Sequence, residues 1–575
     1  MNIILKRLTL PRESPVRPFR NFMQLVGFLA VISLVLEYGF RLPPWVAPQL
    51  EYLNAGLVFC FIVETLLMLL FAFARWDQLR RDWCAWGLSI LVVATVIPPQ
   101  LFLLFSLILR FARVVEGFLR REMRPATVLA LSFGILVLAG FLLLLLPRVS
   151  ADPRNPIHPL EAFFTATSAV CVTGLTVRDT GADFSTLGQM IILSLIQIGG
   201  LGILTFAMIM NLFFWKKMPI PQVVAMRDII NARLAVDVKR VILSILVTTA
   251  VMELAGAVFL YRFWPEASWS SFARLKWSVF HAVSAFCNAG FSLSRDNLTP
   301  FSGNAGVLLT ITVLVITGGI GFTVIHEVGS LRVVPPWGSR FFSWFPTGRR
   351  IFRLGVHTRL ALLMTGILLV VGTVGFLALE MTNVLQGGTV SGSMLSSLFQ
   401  SVTARTAGFH TIPVGELRDA TLILLLILMV IGASPISTGG GVKTVTFAVL
   451  LLTVRSILSG REQVEAFRRT IPHRVVRAAI AVTMMYAFAA TVCILALAVS
   501  DPEIPLRRLF FEVISALSTV GLSTGITAQL SVAGKLILCA AMFAGRVGPL
   551  ALMMTVVRPR KDVSYKYPPD AVVVG

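Results

Sequence analysis

Apolar runs of about 20 residues recur along the whole chain, each long enough to cross the hydrocarbon core of a bilayer as a helix. That pattern commits the chain to an all-α integral membrane protein. Composition agrees: 56% of residues are apolar and 14% are charged. A soluble domain carries nearly twice that charge fraction. The run pattern predicts about twelve spans: roughly 21–40, 52–74, 83–98 and 100–119, then roughly 126–147, 187–213, 241–263, 304–326, 360–382, 419–452, 477–499 and 534–557. An even number places both termini on one side, in the cytoplasm, with the start read as a polar, basic tail without a cleavable signal peptide.

The formal charge of +22 raises the question of nucleic acid, and its distribution answers it. The basic residues sit in short clusters between apolar runs, such as Arg120-Arg121, Lys216-Lys217, Arg349-Arg350, Arg468-Arg469 and Arg558 to Lys561. Clusters in every second connection are what the positive-inside rule expects of cytoplasmic loops. Topology therefore accounts for the charge, and no nucleic-acid partner is expected. The six cysteines show no CxxC spacing and the six histidines no HExxH, so neither a disulfide framework nor a zinc site is indicated.

Four outer loops hold a short, half-polar segment ending in glycine: FFTATSAVCVTGLTV (163–177), VFHAVSAFCNAGFSL (279–293), SLFQSVTARTAGFHT (397–411) and FFEVISALSTVGLST (510–524). The aligned glycines, Gly174, Gly290, Gly408 and Gly521, are separated by 116, 118 and 113 residues. A near-constant period in a membrane protein points to duplicated units around an axis. Flanking positions repeat as well: Ser168-Ala169, Ser284-Ala285 and Ser515-Ala516 stand six and five residues before the glycine, with Val402-Thr403 in the third repeat.

Each segment reads as a re-entrant pore loop, a short helix followed by an extended return. Non-helical backbone at that depth survives only where it is buried in protein or lines a water-filled path. Glycine supplies the positive φ that turns successive carbonyls toward one axis, and four such strands form rings of oxygen that can replace the hydration shell of a monovalent cation. The candidate filter is Val172-Thr173-Gly174, Asn288-Ala289-Gly290, Thr406-Ala407-Gly408 and Thr519-Val520-Gly521, with metal binding limited to the transported ion at these residues. No acidic ring occurs there, which argues against a calcium-type filter.

The span after each loop holds a glycine cluster: Gly199-Gly200-x-Gly202, Gly318-Gly319-x-Gly321, Gly439-Gly440-Gly441 and Gly545-x-x-Gly548. For the first two, close helix packing is the favoured reading. The third lies in GASPISTGGGVKT (432–444), too poor in helix formers to stay helical, and predicts an intramembrane loop beneath the filter. Val442 separates Gly441 from Lys443, so the run is not a Walker A motif. Arg546 stands well inside an apolar run and is functional by default. The candidate gate is Gly439, Gly440, Gly441, Lys443 and Arg546; the alternative for Arg546 is a structural arginine that satisfies loop carbonyls.

With these motifs in view, residues 125–561 resemble the Trk/Ktr/HKT superfamily, and within it bacterial Ktr-type subunits. The resemblance implies four membrane–pore-loop–membrane repeats around a single pore and potassium uptake influenced by sodium. It also implies a homodimer seated on a cytosolic ring of nucleotide-binding, RCK-type regulatory subunits, in the lipid of a bacterial cytoplasmic (inner) membrane. Glycine at all four filter positions accompanies potassium selectivity in that family, and serine at the first accompanies sodium transport. Cys171 and Cys287 depart from the small polar residues expected beside the filter and are candidates for reaction with thiol reagents.

The expected organisation is an N-terminal four-helix region (1–124), pore repeats at 125–240, 241–358, 359–476 and 477–561, and a cytoplasmic tail (562–575). The N-terminal region has part of a voltage-sensor pattern, with Glu64, Asp82, Arg110 and Arg113. The arginines do not recur every third residue, and a packing bundle with basic ends accounts for them better. No cofactor is expected. A sodium- or proton-coupled transporter of another solute is the alternative, with Glu253 as its one candidate carboxylate. No paired carboxylates or Ser/His/Asp set supports an enzyme.

Overall fold

The computed structural model describes residues 125–202, 238–264, 270–330 and 354–556, together with scattered positions between 26 and 63. The voltage-sensor residues Glu64, Asp82, Arg110 and Arg113 and the basic segment from 215 lie outside the described residues.

The first repeat comprises α1 (Pro125–Leu144), α2 (Pro159–Val170) and α3 (Thr186–Leu201); the second comprises α4 (Val238–Arg262), α5 (Ser271–Phe286), α6 (Ala305–Ile320) and α7 (Phe322–Ser330). The third holds α8 (Val356–Glu380), α9 (Val390–Thr403), α10 (Asp419–Val430) and α11 (Thr444–Leu458). The fourth holds α12 (His473–Ser500), α13 (Leu506–Leu517), α14 (Val532–Val547) and α15 (Pro549–Val556). Between α11 and α12 a small antiparallel hairpin pairs Glu465 with Thr470 and Ala466 with Arg469.

Local chemistry sets the helix starts. Each of the inner helices α3, α6 and α14 is capped by a side chain that accepts from the backbone three residues on: Ser185 from Gly188, Asn304 from Val307 and Ser531 from Gly534. Ser270 and Thr389 cap the short helices α5 and α9 in the same way. Such caps contribute about 1 kcal/mol each. Proline begins α2 at Pro159, where its missing N–H costs nothing.

The long outer helices turn an apolar stripe outward. On α12, Met484, Phe488, Val492, Leu495 and Val499 are exposed at helical spacing, as are Val247, Val251, Leu254 and Val258 on α4. A stripe of this kind suits lipid and not water. Inside, the short helices are the core: Phe164, Phe280, Phe399 and Phe511, one from each, are all buried. Phe280 of α5 packs with residues of α1–α3, and Phe399 of α9 packs with residues of α4–α6, so each repeat leans on the next.

Among the described residues, four helices are long and apolar enough to cross a membrane, and a fifth span is counted only if α6 and α7, bent by 97° at their junction, are taken together. This corrects the continuous span expected over 304–326. The break is at Gly321, φ 100°, and equivalent positive φ values occur at Gly202, where α3 ends, and at Gly548 between α14 and α15. Packing, the reading favoured for the first two clusters, is half of the account: the first glycine of each packs and the last one ends the helix.

Candidate functional site: a ring of four glycines over an intramembrane loop

The short helices all end in one way. In the first repeat Cys171, Val172 and Thr173 donate their N–H groups back to Thr167, Ala169 and Ser168 carbonyls, and Gly174 N–H bonds the Ser168 hydroxyl at 3.1 Å. Gly521 N–H bonds the Ser515 hydroxyl at 3.1 Å. Ser284 instead donates to the Phe291 carbonyl at 2.8 Å, and Thr403 to the Phe409 carbonyl at 2.6 Å. The Ser-Ala repeat noted in the sequence is thus a tether between helix end and strand. Thr403 performs it one residue out of register in the third repeat.

Two positions per strand occupy the left-handed region. The glycines have φ of 91°, 69°, 78° and 95°, and the residues two before them, Val172, Asn288, Thr406 and Thr519, have φ of 57°, 59°, 73° and 52°. For a β-branched residue that conformation costs about 1–2 kcal/mol. Strain in four symmetry-equivalent places is the mark of a site whose backbone geometry is its function.

The four strands close into a ring in sequence order. A methyl group placed on Gly174 would meet the Ala289 carbonyl oxygen and, at 3.1 Å, Gly290 Cα. On Gly290 it would meet Ala407 O at 2.7 Å and Gly408 Cα at 3.0 Å. On Gly408 it would meet Val520 O and Gly521 Cα, and on Gly521 Thr173 O and Gly174 Cα, closing the circle. Of the twelve strand carbonyls, only that of Gly290 accepts a hydrogen bond among the described residues, from Asn297 Nδ2 at 3.3 Å. The N–H groups face the helices, so the carbonyls face the opposite way. Buried carbonyls without donors are costly unless another positive partner, such as a dehydrated cation, takes the donor's place.

Beneath the ring lies the 432–444 loop. It interrupts the third inner span between α10 and α11, as the composition requires. Gly432 N–H bonds Val442 O at 3.0 Å and Val442 N–H bonds Val430 O at 3.0 Å, which folds the loop on itself. Ser434 N–H reaches Gly319 O at 3.0 Å, and Phe322 N–H reaches Ile436 O at 2.9 Å, docking it on the break in the second repeat. Gly439 abuts Thr406 Oγ1 and Gly440 abuts Thr519 Oγ1, contacts that leave no room for a Cβ. Lys443 Nζ donates to Gly439 O at 2.5 Å.

Arg546 completes the floor. Its guanidinium donates to the carbonyls of Thr438 and Gly199, and to Gly200 O at 3.4 Å. The loop of repeat three is thereby tied to the end of α3 in repeat one. No carboxylate pairs with Arg546 among the described residues. Glu253 makes no direct contact with Arg546 and reaches the floor only through its neighbours: its Oε2 accepts from Gln197 Nε2 at 3.4 Å and its Oε1 faces, at 3.9 Å, Cys287 Sγ, which packs on Gly200. Cys171 and Cys287 are buried behind the strands, at 0% and 1% exposure, which shields both from the thiol reagents expected to reach them.

Sequence reasoning missed two contributors. Asn297, at φ 54°, joins repeats two and three by donating to Gly290 O and accepting from His410 N–H at 3.4 Å. Glu512, fully buried, accepts from the Ser523 hydroxyl and from Thr524 N–H at 3.1 Å. An ionisable residue in a half-polar helix of a membrane protein was the available signal for Glu512; nothing local marks Asn297.

Residues 108–565 match the family model described as TrkH, cation transport protein. The chain is 37% identical over 457 residues to the Ktr system potassium uptake protein B of Bacillus subtilis, covering 78% of this chain and 97% of that protein. It is 35% identical over 473 residues to the potassium/sodium uptake protein NtpJ of Enterococcus hirae, covering 80% of this chain and 100% of that protein. The crystal structure of the potassium transporter TrkH from Vibrio parahaemolyticus has the same fold, with a TM-score of 0.58 at 18% identity, covering 93% of this chain and 98% of that one.

Proposed function

The chain belongs to the TrkH family of cation transport proteins, and from that premise we propose that it moves potassium across a membrane through the ring of four glycine strands. The observation that carries this reading is the closed circle of Gly174, Gly290, Gly408 and Gly521, each Cα against the next repeat's carbonyl. A cation entering from outside sheds water and takes the strand carbonyls as ligands. The short helices end at the strands, so the partial negative charge of their C-termini favours a cation there.

The 432–444 loop and Arg546 form the barrier under the ring. Lys443 and Arg546 put positive charge directly in the path, and a cation passes when the loop withdraws. What moves the loop is assigned to a cytosolic regulatory ring. The name of the Bacillus relative, a Ktr system protein, supports a partner subunit. The RCK-type, nucleotide-binding character of that ring, a homodimeric assembly, a bacterial inner-membrane setting and cytoplasmic termini follow from the superfamily resemblance.

Cation flux in proteoliposomes tests the reading, comparing potassium with sodium for the wild type and Gly174→Ser. Potassium-selective flux that the serine abolishes or opens to sodium supports it. Selective flux unaffected by the serine removes Gly174 from the filter.

A further inference from the structure

The four re-entrant segments share a second internal register. Eleven residues separate Thr165 from Thr176, His281 from Ser292, Gln400 from Thr411 and Glu512 from Ser523. The first member of each pair sits on the short helix behind the strand, and the second lies on the return strand just outside the glycine. All four helix residues are buried.

In three repeats the pair is bonded. His281 Nδ1 faces the Trp277 carbonyl at 2.9 Å, which can only accept, so Nδ1 carries the proton and Nε2 accepts from the Ser292 hydroxyl at 3.0 Å. Gln400 Nε2 donates to Thr411 Oγ1 at 3.5 Å. Glu512 accepts from the Ser523 hydroxyl, from Thr524 N–H at 3.1 Å and, on its other oxygen, from Thr527 Oγ1 at 3.1 Å. Three chemically different side chains make one connection at one spacing. In the first repeat Thr165 is too short to span the gap: its hydroxyl is buried without a partner, and Thr176 is exposed.

We infer that these pairs are struts that hold the outer end of the second, third and fourth strands at the radius a potassium ion requires, with Glu512–Ser523 the strongest, while the first repeat lacks the pair at this register and is tied farther out by Arg178 and Glu161 at 2.9 Å. The reasoning is mechanical. The glycine backbone has no side chain of its own to fix it, and the tethers at Ser168, Ser284, Thr403 and Ser515 act at the helix end. A strut fastened beyond the glycine fixes the other end, so the carbonyls between are held from both sides. A side chain that accepts from three donors is the stiffest of the set, because three bonds hold it where the other pairs have one. These are positioning residues: they touch the strand and not the ion. The inference rests on the pore reading given above.

The test is the potassium-to-sodium flux ratio of the full chain in proteoliposomes, with folding checked by monodispersity in detergent. Ser523→Ala removes one of the strut's three bonds without disturbing the buried helix, and the ratio is expected to fall about tenfold, the effect of a bond near 1.4 kcal/mol. Glu512→Ala, which also loses the Thr524 and Thr527 bonds, gives a larger fall, Glu512→Gln, which keeps an acceptor, a smaller one than Glu512→Ala, and the double Ala variant no more than Glu512→Ala alone. Thr176→Ala, at the same register without a strut, leaves the ratio unchanged. Equal falls in Thr176→Ala and Ser523→Ala would mean that these hydroxyls act on the ion directly, and would overturn the inference. So would an unchanged ratio in folded Ser523→Ala. A wild type without selective potassium flux overturns the pore reading itself, and this inference with it.

Discussion

The guanidinium of Arg546 is bonded to the carbonyl of Thr438, a residue 108 positions earlier in the chain and in the loop that interrupts another repeat's inner span. The same side chain holds Gly199 at the first repeat's break. Two of the four inner helices are therefore fastened to each other through a third, directly under the glycine ring. The side chain adds to the backbone bonds Ser434–Gly319 and Phe322–Ile436 that already dock the loop on the second repeat.

On the gate proposed above, Arg546→Gln is expected to raise potassium flux by roughly tenfold or more, because it removes charge-assisted bonds worth about 1.5–3 kcal/mol each from the closed state. Flux assays in proteoliposomes, with the loop's protease sensitivity as a second readout, check this. Unchanged flux would leave Arg546 as a structural arginine satisfying carbonyls.

The glycines divide by what a methyl group would meet. Gly318 faces the Phe286 carbonyl and Gly545 the Leu517 carbonyl, whereas Gly366 has nothing within 4 Å. Gly318→Ala and Gly545→Ala are expected to destabilise by about 1–3 kcal/mol through forced backbone shifts. Gly366→Ala, in the middle of α8, is expected to be neutral or to stabilise by up to about 1 kcal/mol. Thermal unfolding in detergent separates the two classes.

Glu380 closes the third repeat at its outer end. It is fully buried and accepts from Arg418 N–H at 3.0 Å, Thr421 Oγ1 at 2.5 Å and Asn383 Nδ2 at 2.7 Å. Glu380→Ala leaves these donors without their acceptor, and a loss of about 3 kcal/mol or more is expected. Glu380→Gln, which keeps one acceptor oxygen, is expected to lose less. Denaturation in detergent ranks the pair.

Asp501 does the same for the fourth repeat, accepting from Ser531 N–H at 2.7 Å, Ser531 Oγ at 3.0 Å and Ser500 Oγ at 2.6 Å. Burial pushes its carboxyl up, but these bonds and the Lys535 charge outweigh burial and hold it below the usual carboxylate range. Its contribution is therefore complete above the unfolded value near 4 and is lost as pH falls through the lower folded value. Asp501→Asn is expected to flatten the acid limb of the melting-temperature profile and to leave the slope between pH 6 and 8 unchanged, where both states are ionised.

Much of the site was written in the one-dimensional pattern because it is a repeat. Aligning four segments on their glycines found every strand residue, and the Ser-Ala pair beside them proved to be the strand tether. The register of eleven, from Thr165–Thr176 to Glu512–Ser523, was equally present but mute: histidine, glutamine and glutamate share no letter, only reach and polarity. The helix break at Gly321 was misjudged for a related reason. A glycine that packs and a glycine that bends look the same in a sequence.

The sequence by itself determined the membrane solvent, the helical class and where the four re-entrant segments fall, since hydropathy and period are local quantities. Tertiary structure alone decided that the strands close in the order one, two, three, four, that Asn297 bridges two of them, and that Arg546 clasps Thr438 and Gly199. Those are contacts between residues tens to hundreds of positions apart. Their partners are backbone carbonyls, which every residue carries, so no side-chain pattern could have announced them.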